Sequence, residues 1–241
     1  MKRIILILVV LIVGIEFSNA QQLPQFTQYM YNTIAVNPAY AGSRDALSIV
    51  ALNRNQWAGF DGGPETQTLS IHSPLRNEKL GLGLSLINDK AGFENFTYAY
   101  VDFSYTIQAS DAVEVSFGLK GGMTYYKLAE ELYNYTEVNQ DAYFDERLNR
   151  WNANFGAGML VHSDKWYVGL SIPKIINHDM NNSTDYAALE TVHYYALGGY
   201  VFDLSKSLKL KPSFMVKYTK GAPISNDFTA NFLYNEKVWL G

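Results

Sequence analysis

Val113-Glu114-Val115-Ser116-Phe117-Gly118-Leu119-Lys120-Gly121-Gly122-Met123-Thr124-Tyr125 decides the fold. Alternate residues separate into two sets, Val113, Val115, Phe117, Leu119, Met123 and Tyr125 against Glu114, Ser116, Gly118, Lys120, Gly122 and Thr124. Side chains of a strand point to opposite faces in turn, so one face is bulky and apolar and the other small, polar or charged. A soluble barrel would fill its closed interior with Val, Leu and Phe. Here Glu114 and Lys120 stand among glycines and Ser116, which suits a wet lumen, while the bulky set suits lipid. A membrane-crossing strand takes about 9 to 11 tilted residues, which Val113 to Tyr125 covers with its interfacial ends.

Working outward, the same segregation recurs. Leu80, Leu82, Leu84 and Leu86 oppose Gly81, Gly83 and Ser85; Ala99, Val101, Phe103, Tyr105 and Ile107 oppose Tyr98, Tyr100, Asp102, Ser104 and Thr106. Ala153, Phe155, Ala157, Met159 and Val161 oppose Asn152, Asn154, Gly156, Gly158 and His162, and Leu208, Leu210, Phe214 and Val216 oppose Lys209, Lys211, Ser213 and Lys217. Further strands are read at Ala46 to Arg54, Thr66 to Ser73, Trp166 to Ile172, His193 to Phe202 (with weak face assignment) and Asp227 to Tyr234. The expected fold is all-β, an antiparallel transmembrane outer-membrane β-barrel over residues 46–241, with about ten strands and the start of an eleventh at Trp239. Bacterial single-chain barrels have even strand numbers and no open edge in lipid, so the barrel is expected to be incomplete at the C-terminus and the chain truncated.

Links support the same reading. Short ones at Pro74 to Glu78, Gln108 to Ala112, Ser163 to Lys165, Asp203 to Ser207 and Asn235 to Glu236 alternate with mostly longer ones, notably Tyr126 to Arg150 and Pro173 to Thr191. Outer-membrane barrels alternate periplasmic turns with extracellular loops in this way. Trp57 and Trp151 then fall at outer strand ends and Trp166 and Trp239 at inner ends, as aromatic girdles require.

The N-terminus is of another kind. Lys2 and Arg3 precede an apolar run from Ile4 to Ile15, followed by Ser18-Asn19-Ala20, which predicts a signal peptide over 1–20 cleaved after Ala20. The run is too short for a transmembrane helix of about 20 residues. Residues 21–45, rich in aromatics and Pro, are expected to form a periplasmic N-terminal segment or plug, with a docking peptide as the alternative. Asn37 before Pro38 marks a capped helical turn, followed by a tight bend at Ala39 to Gly42.

Composition narrows the chemistry. With 48% hydrophobic residues and 15% aromatics the chain is too apolar for disorder, and with no Cys it has neither disulfides nor thiolate chemistry. A net charge of −4 without a basic run sets nucleic acid aside. The histidines, His72, His162, His178 and His193, show no metal-ligand spacing. Ser70 and His72 share a polar face without a third orienting group, so His72 is read as a hydrogen-bonded wall residue and not as part of a lipase site. The glycines of Gly81, Gly83, Gly118, Gly121 and Gly122 have strand spacing and no following helix, which removes a phosphate loop. No enzyme activity and no cofactor are expected.

The link Tyr126 to Arg150 interleaves acids with Tyr133, Tyr135 and Tyr143, and the first long link carries Trp57 and Phe60. Aromatic anchors among flexible polar residues fit a protein-binding surface, so these five residues are the candidate partner-binding set.

Three ordered blocks then become informative: Tyr29-Met30-Tyr31-Asn32; Asn37-Pro38-Ala39-Tyr40-Ala41-Gly42; and the run from Gln56 and Trp57 through Gly59, Phe60, Gly62, Pro64, Thr66, Gln67, Leu69, Ser70 and His72 to Pro74. With Gly169-Leu170-Ser171-Ile172-Pro173 and Val238-Trp239-Leu240-Gly241, the mature chain resembles the PorP/SprF family of type IX secretion system membrane proteins from the Bacteroidetes. The resemblance implies an outer-membrane barrel associated with secretion of gliding adhesins and other cargo carrying type IX C-terminal signal domains. Expected partners are such a cargo protein, other type IX secretion components and outer-membrane lipid. The competing reading, from the Gly/Ser/Lys face alone, is a general porin or small-solute channel, and occupancy of the lumen by the N-terminal segment separates the two.

Overall fold

The computed structural model describes residues 29–76, 78–129, 149–179 and 189–241. Its strands are β1 (Ser48–Asn55), β2 (Glu65–Pro74), β3 (Leu80–Ala91), β4 (Glu94–Ser110), β5 (Val113–Leu128), β6 (Asn149–His162), β7 (Trp166–Ile172), β8 (His178–Asp179), β9 (Leu189–Glu190), β10 (His193–Tyr200), β11 (Phe202–Asp203), β12 (Leu208–Thr219), β13 (Ser225–Tyr234) and β14 (Val238–Leu240). All but β8 and β9, which form their own hairpin, belong to one 12-stranded antiparallel sheet in the order β1-β2-β3-β4-β5-β6-β7-β10-β12-β13-β14, with β11 beside β12. The expected all-β, sequential antiparallel architecture is therefore present. Among the described residues β1 and β14 are not paired with each other.

Burial is inverted relative to a soluble sheet. Ser70, Ser104, Ser116, Thr124 and Asn154 are fully buried, whereas Leu119 is 63% and Phe117 49% exposed. Leu82, Leu84 and Leu86 also lie on the exposed face while Ser85 is buried. Every face assignment read from alternation in β3, β4 and β5 holds. Register carries the pattern across strands: Gly83 faces Asp102, Asp102 faces Lys120, and Lys120 faces Gly156. Along β5 the exposed apolar set runs from Val113 to Tyr125, a rise of about 3.3 Å per residue that at a tilt near 45° gives roughly the 25 Å band of an outer-membrane barrel.

The buried face is covered by the chain itself. Residues 29–42 touch strands from β2 to β13: the Gly42 N–H reaches His72, the Ile34 carbonyl reaches Lys120, and Tyr31 reaches Asn231. One short segment can meet strands so far apart in order only if the sheet wraps around it.

Two expectations need correction. The alternation of short and long links breaks at β3 and β4, which are joined by the two-residue turn Gly92-Phe93 with Gly92 at φ +58°. Strand pairing there continues to Ala91 and Glu94, past the apolar stretch that marked the strand ends in the sequence. The long link also begins later than expected, because Tyr126 is a buried strand residue paired with Phe96 and Arg150. Positions 1–20 and Tyr133, Tyr135 and Tyr143 lie outside the described residues.

Placing a charge on the exposed apolar band tests the face assignment. Leu119→Arg, at the middle of the band, should lower folding free energy in lipid by about 2 to 4 kcal/mol, against about 0 to 1 for Tyr125→Arg at its edge. Denaturant titration of the protein folded into liposomes measures both, and equal losses would contradict the assignment.

Candidate functional site

The site is built on residues 29–42. Two 3₁₀ turns, Thr33–Ala35 and Pro38–Tyr40, shape the segment. Asn37 starts the second: its Oδ1 accepts from the Ala39 N–H at 3.0 Å, and Pro38 supplies the restricted φ a first helical position favours. The expected capped turn and tight bend are both present, and a further turn precedes them. Asn37 is completely buried, and its Nδ2 donates to the Met159 carbonyl on β6 at 3.1 Å.

Short wall side chains satisfy the segment's carbonyls. Ser171 Oγ donates to Val36 O at 2.8 Å, Ser104 Oγ to Ala41 O at 2.5 Å and Lys120 Nζ to Ile34 O at 3.2 Å. Turn carbonyls buried without partners would each cost desolvation free energy, so this Ser/Lys face is what lets irregular backbone lie inside. The glycines supply the room. A Cβ on Gly81 would overlap Ala41, on Gly118 Ala39, on Gly158 Asn37, and on Gly83 Ile34. At Gly81 and Gly118 this brings segment backbone against strand backbone, and at Gly158 and Gly83 it makes room for the Asn37 and Ile34 side chains.

Beside these polar contacts lies an apolar patch. Tyr29 and Val36 pack on Tyr195, Leu197 and Met215, all nearly or fully buried. The inward face of β10 is therefore apolar where the segment docks, which accounts for the weak alternation in its sequence.

Charge inside the sheet is paired. Asp102 and Lys120, 0% and 3% exposed, meet at 2.8 Å. Lys120 also lies 5.5 Å from the centre of the Tyr100 ring, so this ammonium joins β4, β5 and the segment. Both residues were read on the polar face, but their pairing was not; direct cross-strand register supplies it.

A second stretch folds inward from the opposite end. After β7, Asn154 of β6 accepts from the Ile175 and Ile176 N–H groups, each at 3.0 Å, and donates to Ile176 O at 2.8 Å. This aims Lys174 into the interior, 3.9 Å from the Tyr98 ring centre and paired with Glu190. Burial lowers the Lys174 pKa, against the Glu190 carboxylate, which raises it. Nothing in the sequence pattern marked Lys174, Glu190 or this role of Asn154. Between the two stretches remains a cavity of about 40 Å³ lined by Ala35, Val36, Ser85, Ile87, Tyr98, Tyr100, Lys120, Pro173, Lys174 and Tyr195, space for little more than water.

The singled-out residues fall into two places. Tyr29, Asn32, Asn37, Pro38, Tyr40 and Gly42 belong to the enclosed segment, and His72 and Pro74 belong to the wall that receives it. His72, 3% exposed, accepts the Gly42 N–H at Nδ1 (3.2 Å) and meets Tyr40 edge-on at 5.4 Å. Gly42 has φ +71°, and a Cβ there would overlap Gly81 and crowd Pro74. Gln56 to Pro64 form the β1–β2 loop at the other end, closed by Gln56 N–H to Pro64 O at 2.8 Å. There Gly59 sits at φ +92°, and Trp57 and Phe60, each 70% exposed, pack edge to face at 6.4 Å. The structure thus brings Trp57 and Phe60 together in one loop, while Tyr133, Tyr135 and Tyr143 lie outside the described residues.

Seating of the segment is testable by volume. Gly118→Ala should displace residues 29–42 while leaving a folded protein, seen as new protease cleavage within the segment. Asn37→Ala, which strips partners from buried backbone, should lower stability by about 1 to 3 kcal/mol. Unchanged protease protection of Gly118→Ala would refute the seating.

Comparison with known proteins bears on these contacts. No curated protein matches the chain. The family model described as type IX secretion system membrane protein PorP/SprF matches residues 18–241, covering the enclosed segment, the wall and both sets of loops. The chain belongs to the PorP/SprF family of type IX secretion system membrane proteins.

Proposed function

We propose that this protein is an outer-membrane barrel of the type IX secretion system whose lumen is a seat for its own N-terminal segment, and which supports secretion and surface attachment of a partner protein. Occupancy of the interior by residues 29–42 is the observation that carries this reading. Part of the Gly/Ser/Lys face that would favour a general porin is taken up by that segment: Gly81, Gly118 and Gly158 give it room and Ser104, Ser171 and Lys120 bind its carbonyls. Between it and the stretch after β7 lies a cavity of about 40 Å³.

In this reading the signal peptide over 1–20 exports the chain, the segment enters from the periplasmic side, and the longer links face outward. The partner is a gliding adhesin-like cargo protein docking through its type IX C-terminal signal domain on Tyr133, Tyr135, Tyr143, Trp57 and Phe60. Exposure supports the last two: Trp57 and Phe60 stand in a tight loop tied to the β3–β4 turn by the Gly92 N–H to Gly62 O bond at 3.0 Å. A stitched loop holds its aromatic rings at low entropic cost on binding.

Two measurements test the reading. In planar bilayers the purified protein should show no steady conductance, and an open channel of porin size would favour the solute-channel alternative. In cells, deleting Asn134 to Phe144 should leave the protein inserted but release the cargo into the medium. Cargo that stays cell-bound would remove the loop from the dock.

A further inference from the structure

The outward face is not uniform. At the end of the long links, β5 and β6 carry Tyr125 and Trp151, whose rings meet at 4.7 Å as an interfacial girdle requires. Register extends that level across the other strands: Tyr125 faces Thr97, Thr97 faces Asn88, Asn88 faces Gln67 and Gln67 faces Asn53. On β1 to β4 the girdle is therefore replaced by amides and a hydroxyl. One level toward the middle of the sheet stand Ala51, Leu69, Leu86 and Ala99, and one level toward the loops stand Glu65, Lys90, Asn95 and Lys127. A groove of about 500 Å³ lies over β1 to β4, bounded by Gln67, Asn88 and Thr97 on its loop side and by Leu69 and Leu86 on the other. Asn88 Nδ2 donates to Asn95 Oδ1 at 2.8 Å and to Thr97 Oγ1 at 3.0 Å, so Asn95 and Thr97 accept through oxygen and keep their own hydrogens for donation. Glu65 is engaged by Gln67, whose Nε2 donates to it at 2.9 Å. Lys90 and Lys127 flank Asn95, about 10 Å apart by strand spacing, close enough for two long side chains to reach one phosphate.

We propose that this sector of the outward face binds a phosphorylated, N-acylated glycolipid of the surrounding leaflet. Lys90 and Lys127 meet its phosphate, the amide level meets its acyl linkages and sugar hydroxyls, and its chains continue over Leu69 and Leu86. Charge, amide and hydrocarbon follow one another down the wall in the order in which such a lipid presents them from surface to core. A side-chain amide both donates and accepts, which suits amide-linked chains and sugars better than the ester carbonyls of a phosphoglycerolipid, which only accept. Aromatic rings at this depth would serve a bilayer of any composition. Amides there lose hydration, a cost that a lipid able to hydrogen-bond them offsets. A groove of this volume is also in the range that holds a small-molecule ligand. The site presupposes that the outward face lies in lipid with the long links at the outer side, as the function proposed above has it, and does not depend on cargo attachment.

The test is native mass spectrometry of the full protein in detergent micelles, titrated with diphosphoryl lipid A. The unmodified protein should retain the lipid, and Lys90→Gln combined with Lys127→Gln should weaken retention about tenfold or more. Asn88→Leu, which restores an apolar residue at the girdle level, should weaken it about threefold or more. Lys90→Arg should stay within about twofold, as should Lys165→Gln, which breaks an exposed pair with Asp203 at the opposite end. Unaltered retention by the double lysine variant, or no retention by the unmodified protein, would overturn the site. Unaltered retention by Asn88→Leu, or phosphatidylglycerol held as tightly as lipid A, would overturn the glycolipid assignment. Failure of the unmodified protein to insert into liposomes would instead overturn the lipid-facing reading on which the site rests.

Discussion

A sheet that turns its polar face inward must find partners for that face, and in this protein they come in part from residues 29–42 and in part from the wall itself, as where Tyr100 meets Thr124 and Thr106 meets Ser116. Lipid accepts no unsatisfied backbone and water in a narrow interior satisfies only what it can reach. Irregular backbone solves the problem because its turn carbonyls point sideways instead of along a helix. Ile34, Val36 and Ala41 present theirs to Lys120, Ser171 and Ser104. Each bond contributes only about 0.5 to 1.5 kcal/mol. The spread of the segment's bonds over β2, β4, β5, β6, β7 and β13 matters more than their sum, since those strands cannot move as separate hairpins while the segment holds them.

Asp102 and Lys120 show how specificity enters. Desolvating an ion pair inside a protein costs much of what the attraction returns, so hydrophobic residues of similar size could have served stability alone. They could not have held the Ile34 carbonyl. A single ammonium bound to Asp102 and to the segment fixes which turn of the segment faces β5, and Asn37 does the same against β6. This pair therefore acts on register more than on stability.

Much of this was legible in the sequence, and the missing parts have physical reasons. Strand periodicity reports which side a residue faces, so the lipid and interior sets of β3, β4 and β5 were readable, as was the turn at Asn37-Pro38. Periodicity does not report what covers a face. Where the segment lays Tyr29 and Val36 on β10 and β12, the interior side becomes apolar too, and Tyr195, Leu197 and Met215 erase the contrast alternation depends on. Leu160, 2% exposed, does the same on β6. The β3–β4 turn was missed because its strands continue as Asn88, Asp89 and Lys90 beyond the apolar stretch. Inward folding after Ile172 was illegible for another reason: it rests on the side chain of Asn154, distant in sequence and chemically unremarkable on a polar face.

Occlusion from two ends has a consequence for how the interior can open. Residues 29–42 join β1 at the short-turn end, where Gly42 is pressed against Gly81 and bonded to His72. Pro173 to Ile176 are tethered at the opposite end and held by Asn154. Neither motion carries the other along the chain. The small cavity lies between the two stretches, where Tyr98 and Tyr100 of β4 stand between Lys174 and Lys120. A continuous path thus requires two separately anchored stretches to move at once, while access from one end requires only one. That asymmetry suits a protein that engages a partner at either face far better than one through which solutes diffuse.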